Sequence, residues 1–264
     1  MPYALVAYLE PIGSPGALGH EEAAHAHAAF LNLVRGIDPV LSERLHADNE
    51  RKPFSVWMLA ASDSRTRERR PALRLTLLDD SLFAPIVGSL LRDEATTLRL
   101  GPNRYRITEL ATHPSAHHLA GFGAYAELMD QTLAPGRLIV RFVSPTAFRS
   151  QDRDVLWPDP RLVWQSWVRT WNAHCEPDQR FGEAALLGEY VTGVTVRRHE
   201  VRTRRVRVSE GVFAGFTGVA EYDLARVPEP GRRWLAVLAR FSFFSGTGRK
   251  TTMGLGQTRP SNLT

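Results

Sequence analysis

The order of apolar and polar positions predicts strands that alternate with helices in the first half of the chain. Residues 3–9 form a short apolar run, which predicts a strand. Residues 19–35 are rich in alanine and carry apolar side chains at helical spacing, which predicts a helix. A second short helix is expected over residues 40–46, because Pro39 precedes it and proline is tolerated at the first helical position.

The remainder of the first half completes a recognisable order of elements. We expect strands at residues 53–61 and 72–78, a helix at 80–92, and one or two strands at 97–110. The resulting order, β-α-β-β-α-β, is that of the split βαβ or ferredoxin-like unit.

The second half repeats this order of elements. Its expected elements are a strand at residues 137–143 that stops at Ser144, a helix at 158–175, two long strand-like stretches within 190–222, a helix at 232–244 and a last short strand. Three tryptophans at three- and four-residue spacing predict a buried stripe on the first of these helices. The sequence therefore predicts an α+β protein of two tandem ferredoxin-like (RRM-like) βαββαβ domains, residues 1–128 and 129–264.

Composition narrows the class of protein. A hydrophobic fraction of 43% excludes a disordered or collagen-like chain. No run approaches the ~18 apolar residues of a membrane helix, and the first residues do not resemble a signal peptide, so we expect a cytoplasmic protein with no membrane partner. Cys175 is the only cysteine, which excludes a disulfide framework or a cysteine-based zinc site within one chain.

The positive charge is almost entirely arginine. The net charge is +5, and Lys52 and Lys250 are the only lysines, so 31 of the 33 cations are arginine. Arginine suits phosphate because its planar fork donates two parallel hydrogen bonds. A GC-rich genome would raise the arginine count equally well, so the positions of the arginines are more informative than their number.

A glycine-rich segment near the C-terminus is a candidate phosphate-binding loop. It is not a P-loop, because Arg249 separates the glycine from Lys250, and it lacks the third glycine of a dinucleotide fingerprint. Glycines allow backbone amides to approach an anion, and two cations would neutralise it. The alternative is a flexible loop near a terminus. The candidate residues are Gly246, Gly248, Arg249, Lys250, Gly254 and Gly256.

A strand-like stretch at residues 194–208 carries a dense group of arginines. Val206 and Val208 fall on one face of a strand, whereas Arg205 and Arg207 fall on the other. Such a basic face fits a nucleic-acid backbone, and the alternatives are a solvated face or a charged edge strand. Nucleic acid is the favoured interpretation. Its candidate contacts are Arg197, Arg198, Arg202, Arg204, Arg205 and Arg207.

Two groups of histidines could carry chemistry. His25 and His27 are two residues apart on an expected helix and so point to different faces, which disfavours a shared metal ion. His46 ends the second short helix shortly before Lys52. A histidine in this position is a candidate proton donor or acceptor, although a structural or merely exposed role is the more common one.

Three of these segments together resemble a known family. The chain resembles the CRISPR-associated repeat-processing endoribonucleases, the Cas-six family of the RAMP superfamily. The resemblance lies in the histidine region at residues 45–54, in the Ser-Pro-Thr-x-Phe stretch at 144–148, and most specifically in the glycine-rich segment at 246–256.

The resemblance implies a function and a site. Family members are expected to cut CRISPR precursor RNA once in each repeat, without a metal or other cofactor, by attack of the ribose 2′-hydroxyl on its own phosphate. The products are a 2′,3′-cyclic phosphate and a 5′-hydroxyl, and the mature guide crRNA follows. His46 matches the catalytic histidine of the family, and Lys52 lies where many members carry a supporting lysine. The resemblance leaves open a homodimer and association with a CRISPR effector complex.

One departure from the family concerns the second catalytic group. Several members carry a tyrosine on the first helix, and the equivalent place here is near Leu31, which cannot transfer a proton. His27 lies one turn earlier on the same face and is the expected substitute. Two alternatives stay open: a non-catalytic RNA-binding RAMP subunit of an effector complex, and a metallohydrolase built on His25 and His27.

Overall fold

The structure is a computed structural model that describes residues 1–14, 22–46, 51–62, 69–92, 97–130, 133–208 and 211–261. The chain forms two compact units. The first contains Met1–Gly123 together with the short segments Arg207–Gly211 and Thr252–Gly254. The second contains Ala124–Val206, Val212–Thr251 and Leu255–Thr264.

The first unit is an antiparallel sheet with helices on one face. Its elements are β1 (Tyr3–Pro11), α1 (Glu22–Ile37), α2 (Pro39–His46), β2 (Phe54–Ser62), β3 (Arg69–Leu77), α3 (Asp80–Arg92), β4 (Thr97–Leu100), β5 (Asn103–Ala111) and β6 (Gly121–Phe122). The strand order is β2-β3-β1-β5-β4, and the short strand β6 pairs with β1.

Alternation along the strands sets which face of this sheet is covered. Leu73, Leu75 and Leu77 of β3 project to the same side and join Phe30 and Val34 of α1 in one buried core. The short helix α2 begins where the sequence predicted it, because the Asp38 carboxylate accepts a hydrogen bond from the amide of Leu41 at 3.0 Å. The core therefore holds α1 and α2 against the sheet, including β2, the strand that follows the candidate lysine.

The second unit repeats the strand order of the first. Its elements are α4 (Tyr125–Asp130), β7 (Arg137–Thr146), β8 (Phe148–Ser150), β9 (Arg153–Val155), α5 (Pro160–His174), α6 (Ala184–Thr192), β10 (Thr195–Val208), β11 (Gly211–Asp223), α7 (Glu229–Ser245) and β12 (Thr258–Pro260). The four-stranded sheet has the order β10-β11-β7-β12, so its third strand in sequence, β11, lies between the second, β10, and the first, β7.

The buried tryptophan stripe is confirmed. Trp164, Trp167 and Trp171 of α5 have no exposed surface, and the indole of Trp164 donates to the Leu235 carbonyl of α7 at 2.9 Å. This packing joins the two long helices of the second unit.

The strand order shared by the two sheets is that of two tandem ferredoxin-like units, the fold class that the sequence predicted.

Several local expectations were wrong. Strand β7 does not stop at Ser144 but continues through Pro145, whose carbonyl accepts a hydrogen bond from the Gly256 amide at 3.0 Å. Residues expected to begin a strand near position 190 instead end helix α6, where Leu187, Tyr190 and Val191 are buried at helical spacing. The division into domains at residue 128 stays a prediction; residue 128 lies inside α4, whose Tyr125 packs edge-on against Trp171 at 4.9 Å between ring centroids.

No helix in the described ranges is both long and apolar enough to cross a membrane.

Candidate active site

His27 lies on α1 in a half-buried position with a fixed ring. The ring is nearly parallel to that of Phe54, with 6.0 Å between centroids, and its Nδ1 is 3.0 Å from the backbone oxygen of Thr252. A carbonyl oxygen can only accept, so Nδ1 carries the hydrogen and donates it. The other ring nitrogen, Nε2, therefore keeps its lone pair and is the atom of His27 that can accept a proton.

The electrostatic surroundings of His27 favour its neutral form. Burial lowers the pKa of His27 below the ordinary value of 6.5, the hydrogen bond to Thr252 raises it, and the charges of His46 and Lys52 lower it. The net shift is downward, so His27 is neutral at pH 7. The charges of His46 and Lys52 are thus close enough to His27 to act on its pKa.

His46 and Lys52 flank a segment outside the described residues. His46 is the last residue of α2 and is exposed, whereas Lys52 is half-buried just before β2. The position that corresponds to the tyrosine of other family members is unsuitable here, because Leu31 is 8% exposed and packs in the core.

The glycines of the C-terminal segment shape the loop. Gly246, Gly248, Gly254 and Gly256 all have positive φ, between 65° and 80°. A Cβ at Gly248 would collide with the Ala147 carbonyl, and one at Gly256 with the Thr247 carbonyl. Glycine is the residue that combines a positive φ with the absence of a Cβ, and both are needed at Gly248 and Gly256.

The amides of this segment are used within the protein. Gly246 donates to Ser242 at 2.9 Å, Gly248 to the Ser166 hydroxyl at 2.8 Å, and Gly256 to Pro145 at 3.0 Å. These amides are not available to an anion, which differs from the phosphate cradle expected from the sequence. The RNA-binding role of the glycines stays a prediction.

One part of the same segment serves the catalytic candidates. Gly254 lies so close to β2 that a Cβ would be 3.3 Å from the backbone oxygen of Val56 and from the Trp57 ring. This close approach holds the segment Thr252–Gly254 within the first unit, where the Thr252 carbonyl meets His27. No pattern in the sequence indicated this contact.

The two cations of the glycine-rich segment differ in their surroundings. Arg249 forms an ion pair with Asp154 of β9 at 2.5 Å, and Arg149 approaches the same carboxylate at 3.6 Å. Lys250 is half-buried and has a positive φ of 58°, which is uncommon for a residue with a Cβ. Arg249 is therefore partly neutralised by the protein itself.

The arginines of β10, here called the arginine strand (Thr195–Val208), are exposed. Val206 is half-buried and Val208 buried, whereas Arg205 and Arg207 are exposed, so the predicted two faces are confirmed. Arg197 lies 3.6 Å from Glu221, and Arg202 lies 3.9 Å from Glu200. The other four arginines have no carboxylate within 4 Å among the described residues: Arg198, Arg204, Arg205 and Arg207.

The metal interpretation gains no support from the two histidines on α1. His25 lies against Gly101, whose Cβ would meet the His25 ring, whereas His27 faces Thr252. Within the described ranges no group of three or more His, Cys, Asp or Glu side chains is arranged to hold a metal ion.

Comparison with known proteins connects both units to one family. Residues 1–130 match the family described as the CRISPR Cas6 N-terminal domain, and residues 140–258 match the CRISPR-associated endoribonuclease Cas6. A curated Cas6 endoribonuclease from Mycobacterium tuberculosis is 29% identical over 213 residues, which cover 80% of this chain and 64% of that protein. The chain therefore spans less than two thirds of the length of this relative.

Solved Cas6 structures resemble the whole chain. A Cas6 product complex has a TM-score of 0.87 at 32% identity and covers 99% of this chain and 100% of its own. Thermus thermophilus Cas6 has a TM-score of 0.77 at 31% identity, with 99% and 98% covered. A Cas6-related protein from Pyrococcus furiosus, at 12% identity and a TM-score of 0.60, shares the fold. The chain belongs to the Cas6 family of CRISPR-associated endoribonucleases.

Proposed function

We propose that this protein is a metal-independent endoribonuclease that cuts CRISPR precursor RNA within each repeat and so produces guide crRNAs. The observation that carries the proposal is that the charges of His46 and Lys52 act on the half-buried ring of His27. Similar Cas6 structures were solved as product and substrate-mimic complexes, which supports RNA as the substrate class.

The proposed reaction assigns a separate role to each of the three residues. Nε2 of neutral His27 takes the proton of the ribose 2′-hydroxyl, and the 2′-oxygen forms a bond to the adjacent phosphorus. The bond from phosphorus to the 5′-oxygen breaks, and protonated His46 gives its proton to that oxygen. The Lys52 ammonium stabilises the added negative charge on the phosphate. The products are a 2′,3′-cyclic phosphate and a 5′-hydroxyl.

The tautomer of His27 supports its role as the base. The Thr252 carbonyl fixes the hydrogen on Nδ1, so the lone pair on Nε2 is available without rotation of the ring. The lowered pKa keeps this nitrogen unprotonated at pH 7. The nucleophile belongs to the substrate, so the reaction needs no metal-activated water.

The arginine strand is the proposed RNA-binding surface. Double-stranded RNA is bound mainly through its backbone and shape, since its deep major groove resists reading by side chains. Four exposed arginines without carboxylate partners in the described ranges fit that requirement. A homodimer and an effector complex stay predictions.

A cleavage assay in EDTA tests the proposal. The wild type is incubated with a repeat RNA beside His46→Ala, His27→Ala and Lys52→Ala, and the product end is identified by mass spectrometry. We expect each histidine variant to lose about 10²- to 10⁴-fold in rate, as is usual for a general acid or base. His113→Ala is the matched control, because His113 is an exposed histidine bonded locally to Ser115.

Each contrary outcome has a defined meaning. Cleavage that EDTA abolishes would contradict metal independence. Full activity of His27→Ala would remove His27 from the mechanism. A wild type that binds the repeat and leaves it uncut would support the non-catalytic RNA-binding subunit instead.

A further inference from the structure

Trp157 is an exposed tryptophan next to the arginine strand. It lies between β9 and α5 and is 38% exposed, whereas the three tryptophans of α5 have no exposed surface. A single exposed apolar side chain is common on a protein surface, so exposure alone does not assign Trp157 a role. The residues around Trp157 decide whether it can bind a ligand.

The backbone around Trp157 is held firmly. The carbonyl of Pro158 accepts a hydrogen bond at 3.0 Å from the hydroxyl of Tyr222, whose side chain is fully buried. The carbonyl of Trp157 accepts from the Asp159 amide at 2.8 Å, and the Asp159 carboxylate caps α5 by accepting from Leu162. A ligand that contacts the ring would consequently lose little free energy to ordering of this segment.

A second aromatic ring from the arginine strand meets Trp157. The exposed His199 of β10 lies edge to face with it, at 4.3 Å between centroids and an interplanar angle of 76°. Side chains alternate along a strand, so Arg197 lies on the same face as His199, whereas Arg198 lies on the opposite face of the same strand. Arg198 has no carboxylate within 4 Å among the described residues, and it stays available for a phosphate.

We propose that Trp157 and His199 form a stacking subsite for one unpaired nucleobase of the repeat RNA, while the arginines of the arginine strand bind the phosphates of the flanking backbone. The proposal rests on the proposed binding of repeat RNA, although not on cleavage. Aromatic rings recognise bases that are splayed out of a helix, because paired bases already stack on one another. The subsite thus selects RNA in which a single-stranded nucleotide flanks the part held by the arginines.

Fluorescence of a base analogue tests the subsite. Repeat RNAs carrying 2-aminopurine at one position each are titrated with the intact protein in its His46→Ala form, which keeps the RNA uncut. We expect strong quenching at one unpaired position, and loss of that quenching in Trp157→Ala. The Kd should rise about 5- to 100-fold in Trp157→Ala and much less in Trp157→Phe.

Salt dependence separates stacking from charge. Trp157→Ala should leave the slope of log Kd against log salt unchanged, whereas Arg198→Ala should reduce it by about 1. His199→Ala provides a second test of the same subsite if Trp157→Ala is unstable. Leu133→Ala is the matched control, because Leu133 is an exposed apolar residue of the same unit at 76% exposure.

The outcomes distinguish failure of the subsite from failure of the proposed function. Wild-type affinity and quenching in both Trp157→Ala and His199→Ala would overturn the subsite even if the wild type cleaves RNA. If quenching depends on Trp157 but the wild type does not cleave RNA, the subsite is supported and the catalytic proposal is contradicted. Absence of quenching at every unpaired position would contradict the subsite.

Discussion

Gly254→Ala should damage catalysis without touching a catalytic side chain. Gly254 has a φ of 77°, and a Cβ there would be 3.3 Å from the backbone oxygen of Val56. The left-handed conformation alone costs a residue with a Cβ about 1–2 kcal/mol. We expect the loop to relieve the backbone strain and the close contact by shifting away from β2. This shift would move the Thr252 carbonyl away from His27. If all of this cost of about 1–2 kcal/mol is needed to restore the loop position in which Thr252 contacts His27, kcat should fall about 5- to 30-fold.

The pH dependence of cleavage by Gly254→Ala should shift in a direction that the pKa of His27 determines. In the proposed mechanism His27 acts as the base in its neutral form, so activity should rise with pH as His27 loses its proton and should be lost as pH falls through the pKa of His27. The wild-type pKa lies below 6.5, and the hydrogen bond to Thr252 raises it. Loss of that bond, with burial retained, lowers the pKa of His27 further. The acidic limb of kcat/KM for Gly254→Ala should therefore lie at lower pH than that of the wild type.

Nitrogen-15 NMR of the histidine ring measures the tautomer directly. The wild type should show the His27 hydrogen on Nδ1, and Gly254→Ala should show a mixture with Nε2. Gly13→Ala is the matched control, because Gly13 has a φ of 84° in the same unit and nothing lies within 4 Å of its added Cβ. A Gly254→Ala protein with wild-type rate, acidic limb and tautomer would refute the positioning role of the loop.

Three further predictions concern the core, the second catalytic group and the RNA surface. Thr247→Val should lower the free energy of unfolding by about 1–3 kcal/mol in urea, since the buried indole of Trp167 donates to the Thr247 hydroxyl at 2.7 Å. Thr217→Val is the control and should change the free energy of unfolding much less, because Thr217 of β11 is only half-buried. Leu31→Tyr should lower the free energy of unfolding by about 1–3 kcal/mol, because Leu31 packs in the core and a tyrosine would overpack it. For the same reason the added tyrosine should not restore cleavage to His27→Ala, and restored cleavage would contradict the buried placement of residue 31. Replacing Arg204, Arg205 and Arg207 by Gln should reduce the salt slope of RNA binding by about 3 and leave thermal stability unchanged; an unchanged slope would contradict their assignment.

The fold was largely predictable because its core follows the periods of strands and helices. Leu73, Leu75 and Leu77 alternate to one face of β3, and the three tryptophans of α5 follow a helical spacing. The start of α2 was also predictable, since the Asp38 side chain makes the cap that its type favours. These signals are local, and each can be read within a few residues.

The misplaced elements have local physical reasons. Pro145 normally ends a strand, but in β7 its carbonyl is bonded to a loop more than 100 residues later, so the strand continues. Helix α6 was missed because its buried residues Leu187, Tyr190 and Val191 run directly into the β-branched start of β10. A short apolar run of this kind fits a helix or a strand equally well.

The candidate site was only partly predictable, because its key contact is remote in sequence. Histidine and lysine positions could be proposed from the helix end at His46 and from family resemblance. The tautomer of His27 depends on the Thr252 carbonyl, 225 residues away, and a backbone oxygen leaves no mark on the sequence. The glycines signalled an unusual loop but not which partner it contacts.

The arginines show why a residue count cannot assign function. Arg74 is buried in β3, donates to the Leu119 carbonyl at 3.0 Å, and has its pKa lowered to about 9 by burial, so it is structural. Arg249 is paired with Asp154. Arg204 and Arg205 are exposed and have no carboxylate within 4 Å in the described ranges. The sequence lists all four as the same cation, and only burial and pairing separate the two that hold the fold from the two that are available to a phosphate.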